Sequence, residues 1–104
     1  MPAVAADTNG VVHISWFDTR DSGATTELLD IYATYTKDNG ASFAPNVRVT
    51  TKQTNNGGSL FLGDYTGIAA GPNGATSIAH PAWTDGGVGG GTNGQLQTVR
   101  LRVP

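Results

Sequence analysis

Apolar residues in this chain fall in short runs separated by Asn-Gly, Gly-Gly and Asp-Gly pairs. That is the pattern of strands joined by tight hairpins. The clearest runs are residues 11–17, 31–35, 46–50, 66–70, 77–83 and 96–103, and with Ala3-Val4-Ala5-Ala6 they predict seven strands. Helical periodicity is nearly absent, and residues 25–31 are the one stretch suited to a helical turn. Pro81 interrupts an apolar run; lacking an N–H, it predicts an edge position or a bulge.

Two stretches echo each other. Ala5-Ala6-Asp7-Thr8-Asn9-Gly10 aligns with Ala69-Ala70-Gly71-Pro72-Asn73-Gly74, and each leads into a strand ending in Trp-x-Asp, at Trp16-Phe17-Asp18 and Trp83-Thr84-Asp85. The offset grows from 64 to 67 residues (5 to 69, then 16 to 83), which places a three-residue insertion near Pro81. An internal repeat of this kind predicts two copies of one supersecondary unit. Trp16 and Trp83, at equivalent positions, are expected in the core between them.

Composition narrows the function classes. Only 13% of residues are charged, 6 basic and 8 acidic, about half the ~25% of an average soluble protein. A net charge of −2 gives no long-range attraction to nucleic acid or to an anionic membrane. No apolar run approaches the ~18 residues of a membrane span. With no cysteine, disulfides, thiolate nucleophiles and cysteine-bound metals are excluded. The start shows no basic region followed by a long apolar one, so a signal peptide is not expected within this segment. Both ends break off inside alternating patterns, so the chain reads as a segment of something longer.

The one specific motif is Thr36-Lys37-Asp38-Asn39-Gly40-Ala41-Ser42-Phe43. Asp38 is expected to accept hydrogen bonds from backbone amides of the turn behind it. Gly40 supplies a positive φ, Ser42 bonds back across the turn, and Phe43 buries its ring beside the hairpin. On these residues the chain resembles the Asp-box (bacterial neuraminidase repeat) β-propellers, the superfamily that includes sialidases. The resemblance implies an all-β fold of two antiparallel, four-stranded-type blades. Residues 1–50 would be the first blade, carrying the Asp-box, and 51–63 a connecting loop. Residues 64–104 would be a second blade lacking one strand and presenting an open edge over 97–103. It also implies a secreted or cell-surface location, the remaining blades of the parent chain as partners, and a glycan-acting exo-glycosidase. The alternative is a non-catalytic propeller module that binds a glycan or a protein.

Sialidases use a tyrosine–glutamate nucleophile pair, an aspartate acid/base and three arginines that clamp the substrate carboxylate. This chain has four arginines, Arg20, Arg48, Arg100 and Arg102, and a single glutamate, Glu27. None sits in a context that matches the family's motifs, so no catalytic residue is carried over and the segment is expected to be catalytically incomplete. Arg48, Arg100 and Arg102 read as a solvated strand face. Two places are candidates for facing a ligand. One is Asp18 with Arg20, in a charged loop that includes Asp21, Glu27 and Asp30; the other is Asp64 with Tyr65, opening the second unit. Calcium suits the oxygen ligands of the first loop in type, but the spacing fits no EF-hand loop. His13 and His80 are too few and too separated for a metal site, so neither metal nor cofactor is expected. Residues 86–94, rich in glycine, lack the ending of a phosphate loop and read as a hairpin connection.

Overall fold

The computed structural model describes residues 2–23, 28–55, 66–85 and 95–104. These form two antiparallel sheets, with no helix among them. In the first sheet β1 (Pro2–Ala6), β2 (Val12–Asp18), β3 (Leu28–Thr36) and β4 (Val47–Arg48) lie in that order, and β5 (Thr54–Asn55) pairs with the start of β3. The second sheet holds β6 (Gly67–Asn73), β7 (Thr76–Asp85), β8 (Gln95–Thr98) and β9 (Leu101–Val103).

Hairpin chemistry sets the register of both sheets. Between β1 and β2, Asp7 Oδ1 accepts from the amides of Asn9 at 2.9 Å and Val11 at 3.0 Å, and Gly10 takes φ 79°. Between β6 and β7 the turn is tighter, with Asn73 paired to Thr76 and Gly74 at φ 60°. Asn9 joins the two turns: its Nδ2 donates to Gly74 O at 3.0 Å and Thr76 O at 2.9 Å.

Several expectations change in the structure, among them the connecting loop of 51–63, in which Thr54 and Asn55 pair with β3. β3 begins at Leu28, so residues 28–31 are extended rather than helical; residues 24–27 lie outside the described set. Pro81 is neither at an edge nor exposed, but fully buried in the middle of β7, the central strand of its sheet. Its missing N–H is accommodated on the partner side. Ala82 pairs with Thr98 and Ala79 with Leu101, so the interruption between β8 and β9 falls opposite His80 and Pro81. β8 and β9 therefore follow one another along one edge of β7. The fourth strand of the first sheet is shorter than residues 46–50. Only Val47 and Arg48 pair with β3, after which Val49 N still donates to Ile31 O at 2.8 Å.

The core is shared between the sheets. Ile31, Ala33 and Tyr32 of β3 are buried in the first, and Ala79, Pro81, Trp83 and Val103 in the second. The tryptophans differ. Trp83 is 7% exposed, whereas Trp16 is only half-buried, its indole N–H donating to Asp18 Oδ2 at 2.8 Å.

The 36–43 turn closes the far end of β3. Thr36 Oγ1 accepts from the Gly40 amide at 3.0 Å and the Asp38 amide at 3.3 Å, and donates to Asp38 Oδ1 at 2.8 Å. Asp38 in turn accepts from the Ser42 amide at 2.9 Å and from its hydroxyl. Asp38 thus takes one backbone amide of the turn, that of Ser42, while the Gly40 amide belongs to Thr36. Gly40 takes φ 87°, as expected, and Asn39 takes 57°. Phe43 is not buried: it is 52% exposed, its ring edge lying over Gly40. The Ser42 hydroxyl and amide, with Thr36, hold the Asp38 carboxyl down to about 2. A depressed carboxyl stabilises the fold above its unfolded value of ~3.9 and loses that contribution as pH falls through its folded value. Asp38→Ala is therefore expected to lower the urea midpoint at pH 7 and to match wild type near pH 2; equal midpoints at pH 7 would leave the turn without its central acceptor role.

Candidate functional site

Polar side chains gather at the opposite end of the first sheet, where β2 ends and β3 begins. The chain leaves β2 at Asp18 and turns through 19–22, closed by the Ser22 amide donating to Thr19 O at 2.9 Å. Asp18 organises this exit. It accepts the Arg20 amide at 2.7 Å and the Arg20 guanidinium through two parallel bonds, Nε to Oδ1 at 2.9 Å and Nη2 to Oδ2 at 2.8 Å. Such a fork-to-fork pair fixes geometry as well as charge. Arg20 then lies over the Tyr32 ring, with Cζ 4.0 Å from the centroid. The Tyr32 hydroxyl donates to Asp21 Oδ2.

A second carboxylate sits beneath. Asp30 is buried on β3 and accepts from Arg48 Nε at 2.9 Å, Thr50 Oγ1 at 2.6 Å and Gln53 Nε2 at 3.1 Å. Gln53 Nε2 also donates to Asp21 O at 2.9 Å, tying the two carboxylate clusters together. Alongside, a cleft of about 250 Å³ separates the sheets, with Thr50 and Lys52 on one wall and Trp83, Asp85 and Gln97 on the other.

Electrostatics defines what these groups can do. The Arg20 guanidinium, opposed by some burial and helped by the Trp16 N–H, holds the Asp18 carboxyl far below the usual range. Burial pushes Asp30 up, but the bonds from Thr50, Gln53 and Arg48 together outweigh it and the carboxyl ends below its ordinary value. The Asp21 carboxylate, assisted by burial, raises Tyr32 and keeps its phenol protonated. The cluster thus holds Asp18 and Asp30 ionised and the Tyr32 phenol protonated. It is equipped to donate hydrogen bonds. Arg20 spends two of its five side-chain N–H groups on Asp18 and Arg48 spends one on Asp30. Both side chains remain over two-fifths exposed.

The structure thus brings Asp18 and Arg20 together as an internally paired unit. Asp64, Tyr65 and Glu27 lie outside the described residues. Among the described residues, no group of three or more His, Asp or Glu side chains is placed to hold a metal ion, and no helix is long and apolar enough to cross a membrane. Sequence reasoning missed Tyr32, Thr50 and Gln53, and read Arg48 as a solvated face. One signal pointed there: Asp30, a carboxylate inside Leu28-Leu29-Asp30-Ile31, needs partners if the strand is buried. Compared with known proteins, the chain matches no family model, no curated protein and no solved structure.

Proposed function

We propose that the chain is a two-blade segment of an Asp-box, sialidase-like β-propeller acting outside the cell. The protein to which it belongs acts on glycans as an exo-glycosidase, and the segment itself is catalytically incomplete. The observation that carries this reading is the 36–43 turn, which joins β3 to the segment bearing β4 and closes on itself through Thr36, Asp38 and Ser42. Two further features agree with it: β1 and β6, the first strands of the two sheets, pack beside each other, and β7 has ten residues against seven in β2, the length difference that an insertion near Pro81 requires. Function here rests on fold-level resemblance, which suggests a chemistry without assigning its residues.

One observation favours the second reading, a non-catalytic module that binds a glycan or protein. Arg20 is matched by Asp18 and Arg48 by Asp30, so neither is a bare cation waiting for a substrate carboxylate. Hydrolysis of a fluorogenic sialoside, run beside a glycan array, separates the two. The exo-glycosidase reading expects no turnover by this chain and turnover by the longer chain that includes its flanking blades. Array binding without turnover by the longer chain would establish the binding module instead, and neither activity would overturn the glycan assignment.

A further inference from the structure

Two buried polar side chains unconnected with glycan recognition meet where the sheets touch. His13 on β2 is 3% exposed and Ser77 on β7 is fully buried, and His13 Nε2 lies 2.8 Å from Ser77 Oγ. Other side-chain bonds between the sheets run from Asn9 to Gly74 O and Thr76 O, and from Lys37 Nζ to Pro104 O at 2.8 Å. A buried histidine seated at this joint is placed to control it. We propose that the His13–Ser77 contact is a proton-operated joint, at which uptake of a proton by His13 loosens the packing of the two sheets and its release restores it.

The argument is one of solvation and of the charges in view. A neutral imidazole with one nitrogen on a hydroxyl is tolerated in a closed interface; an imidazolium needs water or an opposing charge. The groups facing His13 come from four elements. Asp7 approaches from the β1–β2 turn, and Tyr35 from β3 with its ring centroid 6.3 Å away. Ser77 belongs to β7. Arg102 and the terminal Pro104 line the same cleft from β9 and just beyond it. Lys37 stands 5.9 Å from the Tyr35 ring.

Asp7 favours the imidazolium, whereas burial opposes it. The Ser77 hydroxyl, against the effect of burial, and the amides of Val11 and Asn9 hold Asp7 below the usual carboxylate range. The Ser77 effect is one of proximity, because Asp7 Oδ2 is buried with no partner in hydrogen-bond geometry. Burial outweighs the pull of Asp7, and the His13 ring is harder to protonate than an ordinary histidine. A cleft of about 300 Å³ beside the ring, lined by Tyr35, Val47, Leu101 and Val103, gives water a short path to the contact once it loosens.

The sign follows from linkage. With the closed-state value below that of an exposed histidine, ~6.5, the open state binds more protons between the two values. The closed joint is therefore fully supported above pH ~6.5 and loses support as pH falls below it.

NMR on the whole chain tests this, following the His13 ring signals and amide protection factors from pH 7.5 to 5. The expected result is a His13 midpoint below that of exposed histidines. Protection of amides in 11–15 and 77–79 should fall at least tenfold on acidification, with protection elsewhere in β3 retained. His13→Gln should remove that pH dependence, while the control His80→Gln, at an exposed position, leaves it intact. An ordinary His13 midpoint with unchanged protection in the wild-type chain would overturn the proposal, as would the same acid response in a folded His13→Gln variant. Glycan binding plays no part in the readout, so the joint and the glycan reading stand or fall separately.

Discussion

Trp83→Ala is expected to destabilise the chain by ~3–5 kcal/mol, the cost of removing a large buried aromatic and leaving a cavity. Trp83 sits inside β7, the central strand of the second sheet, and lines the cleft that faces the 49–52 segment of the first. The equivalent change at Trp16 is expected to cost about 1–2 kcal/mol, because a half-buried indole loses less transferred area. Urea unfolding of both variants checks the ordering. Equal costs would mean that the two indoles are equivalently packed.

Asp30→Ala is the second large effect, at ~2–4 kcal/mol. The substitution removes the acceptor for Arg48, Thr50 and Gln53 at once, and these bonds hold the 48–53 segment against β3. Removing one partner of a buried, hydrogen-bonded pair costs more than the pair's net worth, since the remaining groups lose their compensation. The half-exposed Arg48 can turn to water, which keeps the cost below that of a sealed ion pair. Asp30→Asn retains an acceptor for Thr50 and should recover part of the loss. It should also flatten the acid limb, because a depressed carboxyl stabilises above its unfolded value of ~3.9 and loses that contribution as pH falls through the folded one. Stabilities measured at pH 7 and pH 3 decide the point; an Asp30→Ala midpoint equal to wild type at pH 7 would make the network decorative.

Much of the architecture was legible in the chain because its signals are local. Asn9-Gly10 and Asn73-Gly74 announce hairpins, and both glycines adopt the left-handed backbone that such turns need. The strands of 11–17 and 77–83 follow from alternation alone. What was not legible depended on tertiary placement. Pro81 reads as an edge residue or a bulge; it lies in the central strand, and the neighbouring edge breaks opposite it. Phe43 reads as a buried anchor, but no element among the described residues covers it. The two tryptophans read as equivalents, and Asp18 draws one of them to the rim.

The candidate site divides in the same way. Asp18 and Arg20 are two residues apart, and their pairing is a short-range event visible in sequence. Gln53 reaches Asp30 across 23 residues, from a stretch whose composition says only surface loop. Arg48 alternates like a solvated strand residue and does leave its head in water, while its Nε is committed to a buried carboxylate. His13 stood out only as an isolated histidine on an apolar strand. Its meaning came from Ser77, 64 residues away on the other sheet.

An experimental structure of the larger propeller to which we propose this chain belongs tests the central reading most directly. The account predicts that the two sheets sit as neighbours in a ring of similar sheets, with β1 and β6 lining a common axis and the 36–43 turn directed away from it. A structure in which β1 and β6 pair into one continuous sheet, or in which the two sheets close on each other as a self-contained sandwich, would contradict it.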